Sequence, residues 1–376
     1  MKVRSKNFIQ FALLMAALFF QSINSRADIV YVWSNDGTIQ KFTTNGVASL
    51  VTNNISGLNG PVGLTCDNLG NLYSGSPEEG SIRKFLPDGN ASFVGPMLDS
   101  VSGLAFDSRG SLFATIPNYS EILKLNYSPG YGYVLSGPYT QSYLSYPINL
   151  AFDDGGNIFV ANSVPPFFGL FSSTNTIEKF STNFAHLGTF ATNLNNPWGL
   201  AFDGQGILFV SNSGTNGSLA NTIVKFSTNG IRSTFATDFD GLSNPRGLAF
   251  DSAGYLYVAN SGDGTVLKFS PDGTSSVFAS GLNTPSSIAI FPGLKLWSAT
   301  ALKLNNPTIL PDGEFQFSLI ENSGLSFTVL ATTDVSLPQI NWATIGSVTE
   351  ISPGRYQFTD PQATNNSRRF YQIRSP

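Results

Sequence analysis

Histidine and cysteine are almost missing: 376 residues hold one of each, His186 and Cys66. That excludes zinc sites built from several histidines, any disulfide framework and every CxxC redox or metal motif. Charge is scarce as well, since Asp, Glu, Lys and Arg make up 12% of the chain, about half the usual share. Asn, Ser, Thr and Gly supply the polarity instead, which is the chemistry of turns and strand faces rather than of helix surfaces. With 41% hydrophobic residues, 37 Gly, 21 Pro and 31 Phe, the chain has ample material for buried cores. The composition points to an all-β protein.

The first 27 residues carry Lys2, Arg4 and Lys6, then the apolar run Phe8 to Phe20, then Ser25-Arg26-Ala27. The run is 13 residues long, short of the roughly 20 that span a bilayer. A charged start, a short apolar middle and a small-residue end are expected to form a cleaved secretory signal peptide over 1–27, with the mature chain secreted, in the cell envelope or in a periplasm. No cysteine follows the run, so lipid attachment has no support. Without the four basic residues of this segment, sixteen Lys and Arg face 24 Asp and Glu, a formal charge near −8. Nucleic acid and anionic membrane surfaces are disfavoured as partners, and no membrane span is expected in the mature chain. A monomer is expected. Cys66 reads as a small buried strand residue.

One phrase recurs along the chain: Pro61-Val-Gly-Leu-Thr-Cys-Asp67, Val101-Ser-Gly-Leu-Ala-Phe-Asp107, Pro147-Ile-Asn-Leu-Ala-Phe-Asp153, Pro197-Trp-Gly-Leu-Ala-Phe-Asp203 and Pro245-Arg-Gly-Leu-Ala-Phe-Asp251. Successive aspartates lie 40, 46, 50 and 48 residues apart. Each is followed three positions on by a glycine, then by an apolar strand such as Ile207-Leu-Phe-Val210, then by a third strand such as Ile223-Val-Lys-Phe226. In Asp-x-x-Gly the carboxylate can accept from the backbone N–H two residues on, while glycine takes the left-handed conformation that closes a hairpin. The aspartates are therefore expected to be turn formers, not metal ligands. Four short strands per unit of this length is the signature of a β-propeller blade.

The ends of the repeat region predict how the ring closes. The mature chain opens on a second strand, Ile29-Val-Tyr-Val32, with no first strand of its own, whereas Pro285-Ser-Ser-Ile-Ala-Ile-Phe291 is a first strand with nothing after it. One C-terminal strand added to three N-terminal ones makes six blades over 28–293 and removes the open sheet edges. The Pro-x-Gly-Leu-Ala-Phe-Asp, Leu-Tyr/Phe-Val-Ala-Asn-Ser and Ile-x-Lys-Phe pattern resembles the NHL-repeat propellers and the neighbouring gluconolactonase-like and streptogramin-lyase-like groups. Beyond Leu296 the repeat ends. Glu314 to Leu319, Leu325 to Leu330, Arg355 to Phe358 and Phe370 to Ile373 alternate with period two around Trp342, predicting a small β-sandwich over 296–376 similar to modules attached to exported bacterial proteins.

Candidate site residues follow from where the repeats differ. The position occupied by Gly63, Gly103, Gly199 and Gly247 is Asn149 in blade four, and the residue before it varies as Val62, Ser102, Ile148, Trp198, Arg246 and Ser286. A blade does not need these side chains, which makes Asn149, Trp198 and Arg246 candidates either for ligand contact at the channel mouth or for plugging the channel. Six of the 13 tyrosines fall between Tyr127 and Tyr146. Tyr139, Tyr143 and Tyr146, expected on the connection into blade four, would form an aromatic arc with Trp198 and with Phe167 and Phe168 of a long insertion. Such faces suit sugar rings or apolar peptide side chains, or dock the C-terminal domain.

A gluconolactonase-like enzyme would need a divalent ion, for which calcium is the candidate, held by oxygen ligands in the mouth. Asn149 could serve, with Glu78 or Asp263, but Arg246 would repel a cation. Streptogramin-lyase-like chemistry requires a histidine base beside a metal, and His186 is expected on the outer rim. No Gly-x-Ser-x-Gly elbow is present. The residues thus favour a propeller that binds an extracellular glycan or peptide at the mouth without a cofactor and without catalysis, the alternative being a metal-assisted lactone hydrolase or lyase.

Overall fold

The computed structural model describes residues 28–52, 63–67, 70–76, 80–86, 90–128, 132–140, 142–163, 175–214, 217, 219–291, 305–320, 327–333, 343–352, 355–363 and 369–374. The chain divides into two compact units, 26–294 and 295–376.

Within 26–294 the described strands form six four-stranded antiparallel sheets. Blade four shows the pattern: Pro147–Phe152, Ile158–Asn162, Thr176–Phe180 and His186–Ala191 pair in chain order from the channel outwards. The first strands of successive blades contact one another in a closed series, and the series returns from Pro285–Phe291 to Leu64–Cys66. Closure occurs as the repeat ends require. Pro285–Phe291 pairs antiparallel with Ile29–Ser34, placing Val30 opposite Ile290 and Val32 opposite Ile288. Asp28 adds a second tie, its Oδ2 accepting from the Ser252 N–H of blade six at 2.6 Å.

Second strands are buried along their whole length because each lies inside its own sheet and between two neighbouring blades. This explains the continuous apolar runs from Ile158 to Ala161 and from Leu208 to Val210, where alternation would mark a strand with one wet face. Fourth strands such as Arg232–Ala236 are mostly exposed. The cores are layers between blades. One packs Ile148, Phe159, Ile177 and Leu194 of blade four on Leu200, Val210 and Phe226 of blade five.

The hairpin aspartates act through more backbone groups than the expected one. Asp203 Oδ1 accepts from Gln205 N–H at 2.8 Å and from Ile207 N–H at 2.9 Å, and Asp107 and Asp251 each do the same two and four residues on. Gly110, at φ +81°, completes its hairpin in a conformation that other residues rarely adopt. The third-strand lysine has a partner in the same place. Lys268 Nζ lies 3.8 Å from Asp251 Oδ2 and 4.9 Å from the Tyr257 ring, and Lys179 repeats the arrangement with Asp153 and Phe159.

The unit 295–376 contains a four-stranded sheet of Asn305–Ile309, Phe315–Ile320, Arg355–Asp360 and Thr349–Ser352, and a three-stranded sheet of Ala343–Ser347, Thr328–Thr332 and Phe370–Arg374. Both sheets contribute to one core, with Phe317, Leu319, Tyr356 and Phe358 from the first and Val329 from the second. Two-sheet packing over one core is the sandwich that the period-two alternation implies. Trp342 lies outside the described residues. Among those residues no helix is long and apolar enough to cross a membrane.

Candidate functional site

The channel is built by close approach of the first strands. A Cβ on Gly199 would lie 2.3 Å from the Arg246 carbonyl oxygen, and one on Gly247 would lie 2.8 Å from Ser287 Cα. No side chain fits there, which is why four blades carry glycine. Blade one departs with Ser287, whose Oγ accepts from the Leu64 N–H of blade two at 3.1 Å. Blade four departs with Asn149, whose Oδ1 accepts from the adjacent Leu150 N–H at 2.8 Å. Five first strands are entered through a residue in the left-handed region: Ser100, Tyr146, Asn196, Asn244 and Thr284, with φ between 45° and 54°.

A cavity of about 440 Å³ occupies the channel, with Thr65, Cys66, Ala105, Asn149, Ala151 and Ile290 in its wall. It extends from the glycine layer towards the end marked by Asp107 and Ser108, where the Asp-x-x-Gly hairpins lie. Neither Trp198 nor Arg246 lines it, because both precede the glycine layer on their strands.

Trp198 and Arg246 meet each other. The Arg246 guanidinium lies 4.6 Å from the centre of the Trp198 ring, within the range in which a cation is attracted to the indole face. Both residues are half-buried, and burial pushes the guanidinium pKa down. Trp198 and Tyr146 pack on the same core layer between blades four and five. Backbone ties hold this end of the channel in register. Ser211 Oγ accepts from Gly199 N–H at 2.8 Å and donates to the Arg246 carbonyl at 2.7 Å, and Ser102 Oγ donates to the Ile148 carbonyl at 3.0 Å.

The expected aromatic arc is divided between two places. Tyr139 belongs to the fourth strand of blade three, Gly132–Thr140, and stacks on Phe184 with centroids 3.5 Å apart. Tyr143 is half exposed and stacks on His186 at 3.7 Å. These two tyrosines lie against the outer part of blade four, while Tyr146 accompanies Trp198. Phe167, Phe168, Glu78 and Glu79 lie outside the described residues. His186 is on the outer strand and has partners: its Nε2 lies 2.9 Å from Glu178 Oε2, and Glu178 is buried and also accepts from Thr176 and Thr189 hydroxyls at 2.7 and 3.0 Å.

Sequence reasoning missed the asparagine that ends the second strand. Asn260 Oδ1 accepts from Ser243 N–H at 2.7 Å, and its Nδ2 donates to the Gly241 carbonyl at 3.0 Å and Thr265 Oγ1 at 3.2 Å. Asn162 and Asn212 make matching bonds in blades four and five. The recurrence of Asn-Ser after each of these strands was the available signal, since a buried amide recurs in place only if its hydrogen bonds recur.

Among the described residues no group of three or more His, Cys, Asp or Glu is placed to hold a metal ion. Compared by sequence, no family model and no curated protein matches the chain. Compared by structure, it is similar to a chain of a nidogen–laminin complex, with 18% identity, a TM-score of 0.56, and 70% of this chain and 97% of the other covered. It is also similar to a streptogramin B lyase, with 15% identity, a TM-score of 0.50, and 79% and 91% covered. A gluconolactonase from Xanthomonas campestris gives 18% identity, a TM-score of 0.50, and 78% and 92% covered. The chain is a β-propeller. Its structural neighbours put both a partner-bound protein and two enzymes on that fold, so function has to be argued from the residues of the site.

Proposed function

We propose that this propeller is an exported binding module that takes a glycan or peptide at the channel end formed by Trp198, Arg246 and Tyr146. The observation that carries the reading is the contact of Trp198 with Arg246 at 4.6 Å. Two side chains that the blade repeat does not require, from neighbouring blades, are brought together at a ring position where the repeats diverge. Half-buried aromatic and arginine side chains are the residue types that dominate binding energy at recognition sites.

A lactonase centred on Asn149 draws less support. Its amide oxygen is engaged by Leu150 N–H, and the described carboxylates that recur around the ring are held in hairpins. The test is an immobilised glycan and peptide array probed with the purified chain and with Trp198→Ala. Retained ligands whose signal falls at least tenfold in the variant are expected. Equal retention by both proteins, or lactone hydrolysis in calcium with no retained ligand, overturns the proposal.

A further inference from the structure

The first strands follow one phrase, Gly-Leu-Ala-Phe, and blades three, five and six keep it. Blade two reads Gly-Leu-Thr-Cys at 63–66, blade four Asn-Leu-Ala-Phe at 149–152 and blade one Ser-Ile-Ala-Ile at 287–290. Besides the Cys66 thiol, these departures add three hydrogen-bonding side chains, Thr65, Asn149 and Ser287, and all three residues lie in the wall of the channel cavity. Each is partly exposed. Among the described residues Thr65 Oγ1 and Asn149 Nδ2 have no hydrogen-bond partner, while Ser287 Oγ accepts from Leu64 N–H at 3.1 Å and donates to no group. A blade folds without these three side chains, as the other blades show, so the cavity is where the repeat has acquired polar groups that the fold does not use.

The backbone adds to this lining. Gly63 O accepts from Gly75 N–H at 3.1 Å and Asp67 N–H donates to Asn71 O at 3.0 Å, so both residues face the second strand of blade two. Antiparallel pairing alternates. Leu64 and Cys66 therefore turn their N–H and C=O groups to the other edge of the first strand, which has no neighbour in its sheet and faces the channel. The bonds of Gly103 and Asp107 set Leu104 and Phe106 inward in the same way in blade three. The wall thus offers donors and acceptors in alternation. Lys, Arg, His and Glu are absent from its described residues. Its one carboxylate, Asp107, accepts from Arg109 and Ser111 N–H groups at 3.0 and 2.8 Å and lies 4.0 Å from Lys124 Nζ, so it is already engaged.

From this polar, uncompensated lining we infer a second binding site in the channel cavity, entered from the hairpin end and taking a small uncharged polyhydroxy compound, a monosaccharide or an acyclic polyol. The site is separate from the mouth, since Trp198 and Arg246 precede the glycine layer and neither lines the cavity, and it does not depend on the reading above. A hydroxyl both donates and accepts, so neighbouring hydroxyls pair with Thr65, with Asn149 Nδ2 and with either group of a strand edge. An apolar guest would leave these groups unsatisfied. A charged guest would lose its hydration and meet no opposite charge. The cavity volume of about 440 Å³ falls within the roughly 300–1,000 Å³ of small-molecule pockets.

The experiment is titration calorimetry of the full chain with glucose, galactose, myo-inositol and sorbitol, beside gluconate, glucosamine and cyclohexanol as charged and apolar counterparts. At least one of the neutral polyhydroxy compounds is expected to bind saturably and at least tenfold tighter than the counterparts, and rings against the open chain tell the two sources apart. Thr65→Val exchanges the hydroxyl for a methyl of similar shape, and Asn149→Gly restores the residue that four other blades carry. Each is expected to weaken that binding at least fivefold. Trp198→Ala, at the opposite end of the channel, is expected to change it by less than twofold. No saturable binding of any of the four, equal binding of gluconate, glucosamine or cyclohexanol, or unchanged affinity in Thr65→Val or in Asn149→Gly overturns the inference. Loss of sugar binding in Trp198→Ala with both channel variants unaffected would support the mouth reading and overturn the channel site.

Discussion

Val32 lies opposite Ile288 in an antiparallel pair, so residues from the two ends of the repeat region share one sheet. Both side chains are buried in the layer between blades six and one, with Tyr257 and Val266. A ring closed by one strand pair concentrates its integrity there, since opening that pair exposes two sheet edges and two apolar faces together.

Ile288→Ala is therefore expected to destabilise the propeller by roughly 2–5 kcal/mol, the range for a cavity in a packed core. Val277→Ala, at an exposed site on the outer strand of blade six, should stay within about 0.5 kcal/mol. Denaturant titration followed by circular dichroism distinguishes the two, and equal effects would contradict closure through this strand.

The hairpin aspartates are not equivalent. Asp251 is buried and accepts from two backbone N–H groups and from Tyr257 Oη at 3.2 Å, with Lys268 beside it. Asp203 accepts from two backbone groups and is half-buried. Removing one partner from a buried charged network costs more than removing a turn hydrogen bond. Asp251→Ala is expected to cost about 3 kcal/mol and Asp203→Ala about 1 kcal/mol, measured by thermal melts at equal pH.

Burial, and after it the charge of Asp251, pushes the Tyr257 phenol well above its ordinary value, and burial does the same for Tyr73 and Tyr371. A raised folded-state pKa means that the neutral phenol is favoured in the native state. The stability it contributes is complete below the unfolded tyrosine value near pH 10 and is lost as pH rises beyond it. Stability is expected to decline above about pH 10, and Tyr257→Phe should flatten part of that decline. Ultraviolet titration of phenolate alongside circular dichroism checks it: ionisation of all tyrosines without loss of structure would contradict it.

Burial likewise pushes the Cys66 thiol far above its usual range, with the Asp67 charge adding to the effect. The thiolate is the reactive form, so native protein at pH 8 is expected to react with Ellman's reagent at least tenfold more slowly than protein in denaturant.

Asn149 stands where four other blades carry glycine. Restoring the repeat with Asn149→Gly is expected to change stability by less than about 1 kcal/mol. Asn260→Ala, which strands the Ser243 N–H and the Gly241 carbonyl, should cost roughly 2–3 kcal/mol. Calorimetric melts of the two variants decide whether the first asparagine is dispensable to folding and the second is not.

Much of the fold was legible because repeats expose it. Five copies of one phrase fix where strands and hairpins fall, and an unmatched strand at each end calls for the other. The candidate site was legible only in part. Variation at Trp198 and Arg246 marked both positions, yet nothing in their spacing says that the two side chains stack. Tyr139 and Tyr143 are close to Tyr146 in sequence but apart from it in space, because a fourth strand ends at the blade periphery and the next first strand begins at the axis. The partner of His186 was not legible, because Glu178 reaches it only through the pairing of the third and fourth strands of blade four.

What the amino-acid order determined alone was local and periodic: strand, turn, second strand, and the residues that must be small wherever backbones pass closely. Those requirements act within a few residues of each other and recur, so pattern reveals them. Which unlike side chains meet at the mouth and which residues line the channel cavity were decided by the tertiary structure. They depend on the lateral packing of blades about 45 residues apart along the chain, a distance over which sequence carries no geometric record.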